Sequence, residues 1–173
     1  CRNLDPWLSP DDEIVENFRR HAAGADIALV EGNKGLYDGL ALDGSNSNAA
    51  LAARLGLPVL LVIDARGMTR GIAPLILGYQ AFDREVRIGG VIMNQLGGTR
   101  HEAKLRAVIE HYTDVPVLGA VAEDPRLAVM ERQLGLMPCV EVGDAQARVE
   151  AIGHIIGAQV DLALGLWIVR SRM

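Results

Sequence analysis

Three stretches of this chain are apolar almost without interruption: Pro58-Val59-Leu60-Leu61-Val62-Ile63-Asp64, Ile88-Gly89-Gly90-Val91-Ile92-Met93-Asn94 and Val115-Pro116-Val117-Leu118-Gly119-Ala120-Val121. A strand with one wet face alternates apolar and polar residues, whereas an unbroken run marks a parallel strand buried on both faces. Between these runs the apolar spacing becomes helical. Ile72, Leu75, Ile76 and Tyr79 recur on one face of 69–82, and Leu105, Val108, Ile109 and Tyr112 on one face of 101–112. Strand–helix–strand–helix order leads to an α/β fold, an open, mostly parallel sheet with helices on both faces and right-handed crossovers. A fourth run, Asp26-Ile27-Ala28-Leu29-Val30-Glu31, reads as a further strand. The expected sheet therefore comprises 26–31, 58–64, 88–93 and 116–121, with Glu31, Asp64 and Asn94 closing their runs at one edge. Pro116 restricts pairing where it stands.

The remaining elements follow from local signals. Ser9 is placed to cap a helix with Pro10 in its first turn, Asp11, Asp12 and Glu13 against the dipole, and Ile14, Val15, Phe18 and Ala22 on one face. Asn48–Leu55 is a short helix stopped by Gly56, and Arg126–Leu134 another stopped by Gly135. Ala145–Val169 carries a helical stripe in which Gly153, Gly157 and Gly165 predict a break or two.

Composition excludes several classes. The chain has 173 residues, enough for a single domain over 1–173 with a helical C-terminal segment at 145–170, and half of them are apolar. A net charge of −5 without a basic block argues against nucleic acid as a partner. Two cysteines, Cys1 and Cys139, make no disulfide framework and suit a reducing cytoplasm; Cys139 reads as a small buried hydrophobe. No stretch resembles a signal peptide or spans a bilayer, so we expect no membrane association. No G-x-x-x-x-G-K-[ST], G-x-G-x-x-G or G-x-S-x-G occurs. His21, His101, His111 and His154 all fall in predicted helices, where each reads as a surface or core residue and not as a catalyst.

The chemistry-bearing stretch is Glu31-Gly32-Asn33-Lys34-Gly35-Leu36-Tyr37-Asp38-Gly39. Glycines at 32, 35 and 39 allow positive φ and close approach of a ligand. Loops at the carboxyl ends of parallel strands are where open α/β sheets bind ligands. Glu31 and Asp38 can face one pocket there, a pair suited to Mg²⁺ held with phosphate oxygens and water. The same residues also suit a solvated glycine-rich turn. Asn94 offers amide donors and an acceptor to a base, or satisfies a strand-end turn. Thr69 stands at a strand–helix junction that favours anions. Glu123-Asp124-Pro125 reads as an ordinary helix cap, with closure over a base as the alternative.

Several separate blocks, in order, closely resemble the cobyrinic acid a,c-diamide synthases. They are Cys1-Arg2-Asn3-Leu4-Asp5-Pro6-Trp7, His21-Ala22-Ala23-Gly24-Ala25-Asp26, Glu31-Gly32 with Gly35-Leu36-Tyr37-Asp38-Gly39, Gly56-Leu57-Pro58-Val59, Asp64-Ala65-Arg66-Gly67-Met68 and Gly89-Gly90-Val91-Ile92-Met93-Asn94. The resemblance covers about 1–138 and implies a P-loop NTPase fold of the dethiobiotin-synthetase and MinD-like type. It further implies an ATP-dependent synthetase domain followed by a glutamine amidotransferase domain. Such enzymes amidate peripheral carboxylates of a tetrapyrrole through an acyl phosphate. By resemblance, Glu31 and Asp38 serve catalysis and the metal, Asn94, Thr69, Gly32 and Gly35 bind nucleotide, and Lys34 and Tyr37 bind substrate.

Two departures accompany it. The chain opens on Cys1, which reads as mid-protein, so the P-loop strand and the amidotransferase domain are expected to lie outside it and the isolated fragment to be inactive. Unsatisfied sheet edges would then favour a homodimer. Asn33-Lys34 and the polar run Leu42-Asp43-Gly44-Ser45-Asn46-Ser47-Asn48 also look more like the branch acting on sirohydrochlorin or siroheme. Lys34 either offers a point charge to a phosphate or carboxylate or is simply solvated. A MinD/ParA-like ATPase switch and an inactive fold remnant are the other readings; the acidic balance weighs against the switch.

Overall fold

The structure is a computed structural model describing residues 3–6, 8–128, 131–132, 135–136 and 145–170. Its contacts divide the chain into two compact units, Cys1–Val59 with Asp83–Arg87, and Leu60–Phe82 with Ile88–Met173. Cys1 and Cys139 lie outside the described residues, so the expected burial of Cys139 has no counterpart there.

In the first unit, helix α1 (Asp11–Ala22) packs on α2 (Asn48–Leu55). Pro10, not Ser9, occupies the N-cap of α1, and no side chain caps it. The reason is local: the Ser9 N–H is drawn back to the Asp5 carbonyl at 3.0 Å, and the acids of the first turn answer the dipole instead. Only Ile14 of the expected apolar face is fully buried, and Arg54 ties α2 to Asp11 at 2.9 Å. Helix α2 behaves as its sequence requires. Ser47 Oγ accepts from the Ala50 N–H at 3.1 Å, and Gly56 stops the helix at φ 66°.

The run 26–31 is not a strand. A strand exists only where neighbours complete its hydrogen bonds, and no described residue pairs with this backbone in a ladder; Leu29 is 86% exposed.

The second unit holds a three-stranded parallel sheet in the order β1 (Val59–Asp64), β2 (Ile88–Leu96), β3 (Val117–Ala122). Residues Val91, Met93, Leu118 and Val121 are buried, and α4 (Thr99–Tyr112) covers β2 and β3 with Leu105 and Ile109, both fully inaccessible. Helix α3 (Ile72–Phe82) packs on α4 and buries Ile72, Ala73 and Ile76. Tyr112 is not inward: it is 41% exposed, with the Arg70 guanidinium 5.2 Å from its ring centroid. Burial on both faces holds for β2 and β3 but not for β1, where Val62 is 60% exposed between buried Leu61 and Ile63. In this sheet β1 is an edge strand.

The expected helix over 126–134 does not form. Pro125–Leu127 makes one 3₁₀ turn, and β4 (Glu131–Arg132) pairs antiparallel with β5 (Gly135–Leu136). Asp124 caps the turn by accepting from the Arg126 N–H, and cross-strand pairing then competes successfully with helical propensity. The predicted break in the C-terminal helix is present. Helices α5 (Ala145–Gly157) and α6 (Leu162–Arg170) are separated by a turn followed by Val160, which makes an antiparallel bridge to Gly119. A Cβ on Gly119 would come within 2.7 Å of Val160 Cγ2, so glycine is required for that approach. Helix α6 packs on β2 and β3.

Candidate functional site

The first unit contains the loop 31–48. Its glycines do not use the conformational freedom expected of them, since none of 32, 35 and 39 is among the positive-φ glycines. They are needed for space. A Cβ on Gly32 would meet Asn48 Nδ2 at 2.8 Å, one on Gly35 would collide with the Asp38 carboxylate, and one on Gly39 with Asn46 Oδ1. Sequence reading missed these contacts because glycine spacing does not show which side chain folds back on each glycine, whether three residues on (Asp38 on Gly35) or sixteen (Asn48 on Gly32).

Those partners hold the loop. Asn48 Nδ2 donates to the Lys34 carbonyl at 2.7 Å, and the Ala49 N–H donates to the Leu36 carbonyl at 2.8 Å. Asn46 is buried and its Oδ1 accepts from the Ala41 N–H at 3.2 Å. Asp43 accepts from the Ser45 N–H at 3.0 Å, and hydrogen bonds from Ser45 hold its carboxyl below the ordinary carboxylate range. The polar run 42–48 is thus accounted for by the fold of its own loop.

The functional candidates Glu31, Lys34 and Asp38 are exposed, and among the described residues none takes part in an ion pair. Gly32 and Gly35 are exposed too, while Tyr37 is half-buried. Glu31 and Lys34 line a cleft of about 1100 Å³ with Ile27, Leu29, Leu40 and Asn48. Asp38 stands in the adjoining turn, where its N–H donates to the Gly35 carbonyl at 3.1 Å. The described residues contain no cluster of three or more His, Cys, Asp or Glu side chains able to hold a metal. Asp38 is not among the residues lining that cleft; Mg²⁺ itself needs no protein cage, since one or two carboxylates with phosphate oxygens and water suffice.

The second unit presents Asp64 at the carboxyl end of β1 and Thr69 beyond it, whereas Asn94 does not close its run as expected, because β2 continues to Leu96. Arg66 grips Asp64 through Nε and Nη2, at 3.1 and 2.5 Å from Oδ2, while its N–H donates to Oδ1 at 3.1 Å. The Arg66 side chain is the main cause that keeps the Asp64 carboxyl below its usual range, and Asp64 raises Arg66 in turn. Asp124 and Arg126 repeat the arrangement after β3, with the same effect on Asp124. Thr69 is exposed and accepts through its carbonyl from the Ile72 N–H at 3.3 Å. Asn94 is half-buried; its carbonyl accepts from Ala65 at 2.8 Å and its Oδ1 from the Gln95 N–H at 3.0 Å. Among the described residues, Gln95 is the non-glycine residue at positive φ, 61°. His101 is a further polar residue here that sequence reading set aside: it lies half-buried in the first turn of α4 with both ring nitrogens engaged. No helix among the described residues is long and apolar enough to cross a membrane.

Comparison with known proteins adds family context. A family model described as an AAA domain matches residues 8–131. Cobyrinate a,c-diamide synthase of Magnetococcus marinus is 42% identical over 162 residues, covering 94% of this chain and 35% of the relative. The synthase of the same name from Methanosarcina acetivorans is 44% identical over 173 residues, with 94% and 35% covered. Hydrogenobyrinate a,c-diamide synthase of Thermobifida fusca is 41% identical over 174 residues, with 98% and 36% covered. The chain thus spans little more than a third of the length of these relatives. No solved structure gives a significant match.

Proposed function

The chain belongs to the cobyrinate a,c-diamide synthase family, with an open parallel α/β sheet of the P-loop NTPase type, and we propose that it works as part of the ATP-dependent synthetase that amidates acetate carboxylates of a corrin-type tetrapyrrole. The substrate class rests on the relatives, which are named for cobyrinate and hydrogenobyrinate. Because the loop itself uses the polar run 42–48, that run carries no separate argument for sirohydrochlorin or siroheme.

In this reading the γ-phosphoryl of ATP passes to a substrate carboxylate, giving an acyl phosphate and ADP. Ammonia, released from glutamine by an amidotransferase domain of the whole protein, then attacks the acyl carbon and phosphate leaves. This chain contributes position and charge. Glu31 and Asp38 would hold Mg²⁺, which when bound neutralises the crowded phosphate and carboxylate oxygens. Lys34, which lines the same cleft as Glu31, would supply a cation for an anionic oxygen. Tyr37 serves the substrate side, Gly32 and Gly35 let phosphate oxygens reach the loop, and Asn94 reads the nucleotide base with Thr69 nearby at the sheet's edge. The single observation that most supports this is that Glu31 and Lys34, neither in an ion pair among the described residues, line one cleft on a loop pinned by its own amides. The protein is expected to act in the cytoplasm and to be capable of forming a homodimer.

The test uses the full-length protein. Glu31→Gln and Asp38→Asn should each reduce amidation, followed as mass gain on the tetrapyrrole, by about two orders of magnitude, the scale of losing one preorganised electrostatic group. Unfolding free energy should change by less than ~1 kcal/mol, as for exposed loop positions. Near-normal turnover in both variants would return the loop to a solvated turn.

A further inference from the structure

His101 touches backbone on two sides. Gly97 N–H donates to Nδ1 at 3.4 Å, so that nitrogen carries the lone pair. The ring proton then sits on Nε2, which donates to the Met68 carbonyl at 2.7 Å. One neutral tautomer satisfies both contacts, and neither the other tautomer nor the imidazolium does.

The two anchored segments flank the strand end that carries Asn94. The Met68 N–H donates to the Ala65 carbonyl at 3.0 Å, and the Ala65 N–H donates to the Asn94 carbonyl at 2.8 Å. A closed circuit therefore runs from Asn94 through the turn 65–68 to the imidazole, on to Gly97, and back along the chain to Asn94. Within it Gln95 holds φ 61°, a conformation that a residue with a Cβ keeps only when its surroundings over-determine it. The Gln95 N–H occupies Asn94 Oδ1, so the Asn94 Nδ2 hydrogens, which donate to nothing among the described residues, remain for a ligand acceptor.

We propose that His101 is the positioning residue of the nucleotide-base contact, its ring bracing the turn after β1 against the loop after β2 so that Asn94 presents its amide in one orientation. The role rests on the reading of Asn94 as the base-contacting residue. It is distinct from catalysis, since His101 reaches the ligand only through the backbone it fixes.

Three variants of the full-length protein separate the two contacts. His101→Gln keeps a donor where Nε2 stands, His101→Asn keeps an acceptor near Nδ1, and His101→Phe keeps only the bulk. Calorimetry should show ATP dissociation constants raised about tenfold in His101→Phe and about threefold in the amide variants, the scale of one lost hydrogen bond or part of one. KM for ATP should follow while kcat stays within about twofold, the pattern of a lost binding interaction. Nitrogen NMR of the wild-type ring should report the Nε2-protonated tautomer at neutral pH, a readout that needs no activity. An Nδ1-protonated ring, or ATP affinity unmoved in all three variants, overturns the proposal while leaving the base contact standing. Amide variants no better than His101→Phe would reduce His101 to a packing residue and overturn it equally. Absence of ATP binding by the wild type would instead remove the base contact itself, and this role with it.

Discussion

The loop 31–48 and the strand ends of the sheet both gather polar residues, but they hold them by different means. At the strand ends the backbone is already satisfied by the ladder and supported by fully buried Val91, Met93, Leu105 and Ile109. Asp64 and Asn94 add local fastening to a segment that packing has placed. The loop has no ladder. Its backbone depends on a few turn bonds, such as Asp38 N–H to the Gly35 carbonyl, and on the side-chain amides of Asn46 and Asn48, while Leu40 and Leu42 are 81% and 106% exposed. Thus the sheet gets its rigidity from non-polar burial and the loop from a small set of directed bonds, and the two should fail under different substitutions.

The largest expected effect is on the sheet side. Ile109→Ala deletes most of a side chain with no exposed surface and should lower unfolding free energy by about 2–5 kcal/mol. Leu42→Ala in the loop should change it by less than about 0.5 kcal/mol. Urea titration followed by circular dichroism measures both. Comparable losses would mean that the exposed loop leucine is part of a core, and the comparison would collapse.

A middle-sized effect belongs to the loop. Asn46→Ala removes the acceptor of the Ala41 N–H and leaves part-buried polar backbone without its bond, a cost of about 1–3 kcal/mol. The diagnostic readout is hydrogen exchange. Ala41 and Ser47 amides should lose protection in the variant while Val91 and Met93 keep theirs. Uniform loss across both sets would show that one cooperative unit governs both regions.

The same contrast explains what could be read from the sequence. Elements fixed by nearby residues were legible: Gly56 stops α2, and the continuous apolar runs located β1, β2 and β3. Elements decided by distant partners were not. Among the described residues, 27–30 has strand composition but no neighbour in a ladder, and Val160 leaves a helical stripe to bridge Gly119; the pairing of Glu131 and Arg132 with Leu136 and Gly135 is local, and there the helical reading of the run hid it. In the candidate site, the residue types of Glu31, Lys34, Asp38 and Asn94 were visible. The reason for the glycines was not, because it lies in the folded positions of the Asp38, Asn46 and Asn48 side chains against them. His101 was overlooked because helical periodicity says nothing about a ring that reaches back to the Met68 carbonyl.

The smallest effect gives the finest test, and it concerns two aspartates lowered for different reasons. Asp64 owes its low value first to the Arg66 side chain, with the Arg66 backbone N–H second. Asp43 owes its value to the Ser45 backbone N–H and hydroxyl, which are neutral. Both folded-state values lie below the ordinary one. Each group therefore contributes stability that is fully present above its unfolded value and is lost as pH falls through the lowered folded value. Because both carboxylates are exposed, the contribution is small and is better read as a titration than as an unfolding energy. Salt distinguishes the causes. At about 1 M ionic strength the screening length is roughly 3 Å, so the charged part of the Arg66 contact weakens, while a hydrogen bond from a neutral group does not. Titration of the side-chain carboxyl carbons by NMR should show Asp64 moving up toward the ordinary range with added salt and Asp43 nearly still. Arg66→Gln should raise Asp64 at low salt and remove most of its salt response, with Asp43 again unmoved. Equal salt shifts at the two residues would show that one general field lowers both, and the division between a strand end fastened by charge and a loop fastened by neutral dipoles would be lost.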